Sequence, residues 1–337
     1  KDEIRPYEKV SQGKTRMFSG SPFIMLVMFR MYFGAFMDEF THMNLQVGSA
    51  IGINPYSADW NTLATKLLKH AEEGSETPCI GAGDFSAFDC SQQVQVLNCV
   101  LALINMWYGP ANEEDNRIRT LLWAEITSSR HIHDDKLYFW YSSLPSGNPL
   151  TAIVNTMYNN IAFRYCWVHA DLDPNDFNKN VYLCALGDDN IFSVNSKYRG
   201  VFNELTLTHL MKAIGLTYTN ESKMESIVAN RRIYEVNFLK RGFRYEKTID
   251  RWVAPISMVT IINELDWTKK TDADPITKEK TVIALRELSL HGEAKYNQHA
   301  SEILEVAKKN LDHRPPDCGW PTSWADTMMR VVDTDHY

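Results

Sequence analysis

The run Val181-Tyr182-Leu183-Cys184-Ala185-Leu186-Gly187-Asp188-Asp189-Asn190-Ile191-Phe192-Ser193-Val194 decides how this chain is read. Val181–Leu186 and Asn190–Val194 are apolar and partly β-branched, and Gly187-Asp188-Asp189 between them is turn chemistry. The pattern predicts a hairpin with two carboxylates at its tip. Adjacent carboxylates repel, and burial makes charging them costlier, so such a tip needs open water or a cation. Gly and Asp are also ordinary turn residues, so a solvated turn accounts for this segment taken alone.

Outward from the hairpin, Cys79-Ile80-Gly81-Ala82-Gly83-Asp84-Phe85 predicts a short strand that delivers Asp84 at its end, followed by Ser86-Ala87-Phe88-Asp89. Mg²⁺ is held by one or two carboxylates together with water and substrate phosphates. Two such ions about 3.5–4 Å apart clamp the attacking and leaving oxygens of an in-line displacement. Asp84 and Asp188 on neighbouring strands would meet that need, although acidic strand ends also occur at solvated sheet edges. Between them lies Ser146-Gly147-Asn148-Pro149-Leu150-Thr151-Ala152-Ile153-Val154-Asn155. It predicts a small flexible turn before a helix that Asn148 can cap and Pro149 can start. Thr151 and Asn155 stand four apart on one face of a largely apolar helix, which suits a face that addresses a ligand. Asn155 with Asp89 could hydrogen-bond a ribose 2′-hydroxyl, the group that distinguishes RNA from DNA.

Composition agrees with a globular α+β chain: 337 residues, 44% hydrophobic and 23% charged, long enough for a sizeable core. The net charge of -7 argues weakly against nucleic acid, but the first thirty residues reverse the sign, with six Lys or Arg against three acids. The six cysteines show no C-x-x-C pairing, as expected of reduced thiols. Asn220-Glu221-Ser222 fits a glycosylation sequon and is read as a plain turn. The apolar run Pro22 to Met37 contains Arg30, is too short to span a bilayer and predicts a buried helix. Helices are further expected over 59–73, 92–108 and 203–215, strands over 130–141 and 232–254, and a helical last eighty residues. There Ala300, Ile303, Leu304, Ala307 and Leu311 form one apolar face. Residue 1 is lysine, which points to excision from a polyprotein or a missing upstream part.

These segments resemble motifs A, B and C of the picornavirus-like RNA-dependent RNA polymerases, in the same order and at similar spacing. The resemblance extends over about residues 1–245. Lys1-Asp2-Glu3-Ile4-Arg5, Lys9-Val10 and Gln12-Gly13-Lys14-Thr15-Arg16 look like basic motif F, which lines the nucleotide channel. Val47-Gly48-Ser49-Ala50-Ile51-Gly52 resembles the segment that follows it. Gly215-Leu216-Thr217-Tyr218-Thr219, leading to Lys223, looks like motif D, and Phe238-Leu239-Lys240-Arg241 like motif E. Asp-Phe-Ser-x-Phe-Asp and Gly-Asp-Asp-Asn are similar to insect iflaviruses and dicistroviruses.

The resemblance implies a right-hand fold: fingers over 1–78 and 98–142, a palm over 79–97 and 143–245, and a helical thumb over 246–337. The palm would be an antiparallel sheet backed by helices. It implies that Asp84 and Asp188 bind two Mg²⁺ ions, with Asp189 assisting and Mn²⁺ as a substitute. Arg5, Lys9 and Arg16, supported by Lys14, would hold the triphosphate; Asp89, Ser146, Gly147, Thr151 and Asn155 would form the ribose-sensing network. Lys223 would protonate departing pyrophosphate, and Lys240 and Arg241 would contact the primer backbone. Implied partners are template and product RNA, NTPs, a small protein primer and other viral replication proteins. The implied setting is the host cytoplasm, at membrane-associated complexes, without a membrane segment of its own. Two departures stand out. Leu186 replaces the family's usual tyrosine, and the chain starts at motif F, where the family has a long region that builds the fingertips and braces the thumb.

Competing readings are weaker. Gly13-Lys14-Thr15 mimics a Walker A end, but Glu8 occupies the required glycine. His131 and His133 share a strand face without a further ligand at zinc spacing. A reverse transcriptase would block the 2′-hydroxyl that Asp89 and Asn155 welcome, and a non-catalytic RNA-binding scaffold would be expected to lose the acids.

Overall fold

The computed structural model describes residues 5, 7–14, 18–71, 79–110, 113–222, 228–266, 273–310 and 323–332. The chain opens with a short helix α1 (Tyr7–Ser11), then α2 (Phe23–Met43) and α3 (Ala58–Ala71). Strand β1 (Cys79–Phe85) leads through α4 (Phe88–Ser91) to α5 (Val94–Tyr108), α6 (Glu113–Thr127) and the hairpin β2 (Arg130–His133) with β3 (Lys136–Phe139). Helix α7 (Thr151–His169) and a short α8 (Phe177–Asn180) precede the hairpin β4 (Val181–Leu186) with β5 (Asp189–Val194). After α9 (Glu204–Ala213) and β6 (Tyr218–Asn220) come β7 (Arg244–Glu246) and β8 (Arg251–Val253). The remaining elements are helices: α10 (Met258–Asp266), α11 (Ala273–Ser289), α12 (Glu293–Asn310) and α13 (Trp324–Val332).

The central sheet is antiparallel in the order β4-β5-β1-β6. Its alternating side chains divide between two helical layers. One face meets α7 and α9 through Phe163, Phe192, Phe202, Leu207, Met211 and Tyr218; the other meets α3 through Trp60, Leu63, Leu67, Ile80, Ala82 and Ile191. The strand β1 alternates glycine with larger residues for a packing reason. A Cβ on Gly81 would stand 2.3 Å from the Phe192 ring, and one on Gly83 would stand 2.2 Å from the Tyr218 ring. Both rings therefore cross β1 where it presents no side chain. The Tyr218 hydroxyl then reaches Asn190 Oδ1 at 2.8 Å, joining β6 to β5 over the top of β1.

The free side of β4 is covered by residues 48–50. Ala185 N–H donates to Gly48 O at 3.0 Å and Ala50 N–H to Ala185 O at 2.9 Å, which satisfies an edge that would otherwise be open. Gly48 has a φ of +71°, and a Cβ there would come within 2.4 Å of Leu183 O. A separate apolar cluster joins β8 to α11, α12 and α13 through Val253, Leu285, Leu288, Tyr296, Trp324 and Met328.

The hairpin at 181–194 and the strand at 79–85 form as the sequence pattern predicts. Three features differ. Helix α2 buries Phe29, Phe33 and Phe36 but leaves Phe23, Ile24 and Met31 exposed, so the run is core on one side only. Helix α7 starts at Thr151 and not at Asn148, because Asn148 Oδ1 accepts from Leu150 N–H at 2.9 Å and closes a turn ahead of the helix. Helix α6 forms where no helix was expected; its apolar periodicity is diluted by Arg119, which is buried over the Tyr108 ring and hydrogen-bonds Asn105. Of the apolar face at 300–311, Ala300 and Ala307 are buried, while Leu311 lies outside the described residues.

The crossing of Tyr218 over Gly83 sets an expected stability order. Tyr218→Phe leaves Asn190 Oδ1 buried without its donor and should cost about 1–3 kcal/mol. Gly83→Ala overpacks the crossing and should cost a similar amount, roughly 1–3 kcal/mol. Gly200→Ala, where a Cβ meets nothing within 4 Å, is the control. Denaturant midpoints measured at constant m-value check the order.

Candidate active site

The sheet gathers its acids at one end. Gly83 pairs with Asn190 across β1 and β5, and Leu186 pairs with Asp189 across β4 and β5. Continuing the β1–β5 register by one residue sets Asp84 opposite Asp189, on the face shared with Ala82 and Ile191 and away from α7. On its other side Asp84 pairs with Thr219 of β6. The two-residue turn between β4 and β5 is Gly187-Asp188. Its glycine has a φ of +66°, which suits a tight hairpin turn that places glycine first. Asp188 is exposed, and Asp84 and Asp189 are half-buried.

Buried polar side chains from α7 hold this turn. Thr156 Oγ accepts from Gly187 N–H at 2.9 Å and donates to Ala152 O at 2.8 Å. Asn159 Nδ2 donates to Gly187 O and Asp188 O, each at 3.2 Å, and Asn190 Nδ2 donates to Asp188 O at 3.3 Å. Thr156, Asn159 and Asn190 are all buried. A buried amide or hydroxyl is stable only when its partners are in place, so these three fix the turn's backbone while the Asp188 carboxylate stays exposed. Sequence reasoning missed Thr156, Asn159 and Tyr218. The available signal was the position of Asn159, four residues after Asn155 on the same helix stripe.

The donor set fits a hard divalent cation. It consists of carboxylates alone, on a backbone fixed from below and open to solvent above. Among the described residues, no three His, Cys, Asp or Glu side chains close into a ready metal cage. Carboxylates are the donor type that Mg²⁺ takes together with water and substrate phosphates.

Of the residues expected to sense ribose, Ser146 and Asp89 bond each other, while Thr151 and Asn155 bond other partners. Ser146 Oγ donates to Asp89 Oδ2 at 3.3 Å, and Leu144 N–H donates to Asp89 O at 3.3 Å. Asn155 Oδ1 accepts from the buried Gln92 Nε2, a partner that sequence reasoning missed. Thr151 Oγ donates to Pro145 O at 2.9 Å and secures the turn before α7. Gly147 has a φ of +114°, and a Cβ there would meet Ser19 O at 2.2 Å, so only glycine allows this approach. Ser19 N–H donates to Ser146 O at 2.9 Å, and Ser19 Oγ bonds His131 Nδ1 at 2.9 Å. Ser129 Oγ bonds His131 Nε2 at 2.7 Å, so both ring nitrogens carry structural hydrogen bonds and burial lowers the imidazole pKa.

On the basic segment, Arg5 Nη1 donates to Lys14 O at 2.7 Å, and Lys9 and Lys14 are exposed. Arg16 and Lys223 lie outside the described residues. The turn Phe238-Leu239-Lys240-Arg241 is tight, with φ of +52° at Leu239 and +63° at Lys240, and it exposes Lys240. Arg241 departs from the expected primer contact. Its guanidinium pairs with Glu287 of α11 at 2.7 Å and donates to Ala254 O at 2.7 Å, so it is committed to packing.

A family model described as viral RNA-dependent RNA polymerase matches residues 1–308. The chain is 34% identical over 322 residues to the replicase polyprotein of Drosophila C virus (strain EB), covering 91% of this chain and 18% of that polyprotein. It is 34% identical over 332 residues to the replicase polyprotein of Cricket paralysis virus, covering 94% of this chain and 18% of that one. The chain therefore spans less than a fifth of the length of these curated relatives. Among solved structures, a Sicinivirus 3Dpol RNA-dependent RNA polymerase superposes with a TM-score of 0.80 at 20% identity, covering 100% of this chain and 67% of that one, a likeness of fold. With its acids at the end of an antiparallel sheet and the family model matched over most of its length, the chain belongs to the viral RNA-dependent RNA polymerases.

Proposed function

We propose that the chain carries the catalytic centre of a polymerase that copies an RNA template into RNA from NTPs, in replication of a positive-strand genome. The observation that supports this reading is the strand register that pairs Gly83, the residue before Asp84, with Asn190, the residue after Asp189, beside the Gly187-Asp188 turn. The reaction is nucleotidyl transfer: the primer 3′-hydroxyl oxygen bonds to the α-phosphorus of the NTP and the bond to pyrophosphate breaks. Divalent ions belong to this family's chemistry; two Mg²⁺, when bound, would polarise the phosphoryl oxygens and offset the charge that develops on them. Asp84 and Asp188 would hold them, with Asp189 assisting. Arg5, Lys9, Lys14 and Arg16 would bind and orient the triphosphate, and Lys223 would give a proton to the leaving pyrophosphate.

Asp89, Ser146, Gly147, Thr151 and Asn155 would form the ribose pocket, with Gln92 orienting the Asn155 amide. Lys240, exposed at its turn, would meet the primer backbone. The separate cluster around Leu285 and Trp324 supports a thumb over 246–337, beside fingers over 1–78 and 98–142 and a palm over 79–97 and 143–245. No helix among the described residues is long and apolar enough to cross a membrane. Descent from a polyprotein supports other viral replication proteins as partners, a small protein primer among them, at cytoplasmic membrane-associated complexes.

Primer extension on an RNA template with Mg²⁺ tests the reading. Asp188→Ala should fold normally and lose at least roughly a hundredfold in rate, since several kcal/mol of charge stabilisation go with the carboxylate; near-normal turnover would sink the mechanism. Asn155→Ala should narrow the preference for NTP over dNTP in competition assays, and unchanged discrimination would remove the ribose role. Asn159→Leu keeps every acid yet frees the turn carbonyls. A fall in rate on the order of tenfold to a hundredfold is expected from misplacement of Asp188.

A further inference from the structure

Strand β6 stops short of covering β1. Its pairing with β1 ends at Gly83↔Asn220, which leaves the peptide groups of Ala82 facing beyond the strand. Side chains complete the edge. Ala82 N–H donates to Glu204 Oε2 at 3.3 Å, and Ala82 O accepts from Glu221 N–H at 3.3 Å and from Arg231 Nη2 at 3.1 Å. The main chain of Arg231 adds a second grip, with its carbonyl accepting from Ile80 N–H at 3.2 Å. Arg231 thus holds β1 at Ile80 and Ala82, immediately before Asp84.

The guanidinium is shared between two acids. Arg231 Nη2 meets Glu204 Oε2 at 2.6 Å, while Nη1 and Nη2 meet Glu221 Oε1 at 2.7 Å and Oε2 at 2.8 Å. Exposure of the three side chains is 11% for Arg231, 1% for Glu204 and 13% for Glu221. Burial raises the Glu204 pKa, and Arg231 draws it back down. Glu221 Oε1 also accepts from Asn237 N–H at 3.1 Å, the residue before the Phe238–Arg241 turn. One cation therefore connects the strand that ends in Asp84, the start of α9, and the approach to the turn that exposes Lys240. Without it, the buried Glu204 carboxylate would face the half-buried Glu221 carboxylate beside a carbonyl that has lost a donor.

We propose that Arg231 is a positioning residue for catalysis, holding the end of β1 so that Asp84 keeps its place against the Gly187-Asp188 turn. The inference rests on the polymerase reading above. Arg231 touches no reacting atom, so its loss should lower kcat and leave the KM for NTP nearly unchanged. Charge alone is insufficient for this role, because lysine cannot span Ala82, Glu204 and both Glu221 oxygens with one planar fork.

The test compares wild type with Arg231→Lys and Glu221→Gln, using thermal melting, primer-extension kinetics and backbone amide exchange over residues 80–85. Arg231→Lys should lower kcat on the order of tenfold to a hundredfold with the KM for NTP within about twofold. Amide exchange at Ala82 and Gly83 should be faster in the same variant. A folded Arg231→Lys enzyme with wild-type kcat, or one altered only in KM, overturns the proposal. Should Arg231→Lys fail to fold, Glu221→Gln decides, with a kcat loss of a few fold expected and none overturning. If the wild type itself is inactive, the polymerase reading is what has failed; amide exchange still tests the grip on β1, and unchanged exchange overturns it.

Discussion

The ring of Tyr218 lies across β1 where Gly83 offers no side chain, and its hydroxyl meets Asn190 on the far side. That contact spans three strands at the level from which Asp84, Asp188 and Asp189 project. Carboxylates gathered at one sheet end repel each other, so the backbone that carries them must be held by contacts that do not relax. Asn190 meets this need twice, accepting from Tyr218 and donating to Asp188 O. The glycines of β1 are thus part of the site without touching a ligand, because any side chain there would displace the ring that aligns the strands.

Helix α7 carries two sets of polar contacts. Thr151 and Asn155 are tied to Pro145 and Gln92. Thr156 and Asn159 hold the Gly187-Asp188 turn. The helix is a rigid rod between them, so the separation of the two sets is fixed by helical rise and not by a loop. All four side chains are small and polar on a helix otherwise buried among Ile153, Val154, Phe163 and Trp167.

A second brace fastens α11 to the segment before α3 and to the turn at 238–241. Arg241 and Arg286 lie over the Tyr56 ring, at 5.1 and 3.8 Å from its centroid, and the Tyr56 hydroxyl and Arg241 both bond Glu287. A half-buried arginine with a carboxylate, a carbonyl and a ring is costly to release, since each partner would be left unsatisfied. Next to it Lys240 keeps its charge in solvent. Adjacent basic residues in one turn thus differ in setting, Arg241 packed against Glu287 and Lys240 in solvent.

The sequence alone determined the hairpin at 181–194 and the strand at 79–85, with Asp188 in the turn of one and Asp84 near the end of the other. Period-two alternation and turn chemistry are local, so they can be read without the rest of the chain. The turn before α7 was legible for the same reason, through glycine, proline and spacing. What only the tertiary structure decided were the partners. Gln92 for Asn155, Asn159 for the acidic turn, Tyr218 for Asn190 and Glu287 for Arg241 join residues far apart in the chain. A polar side chain has the same chemistry whether it faces water or a buried carbonyl. Which it faces is fixed by the packing of neighbouring elements, and no local pattern carries that information.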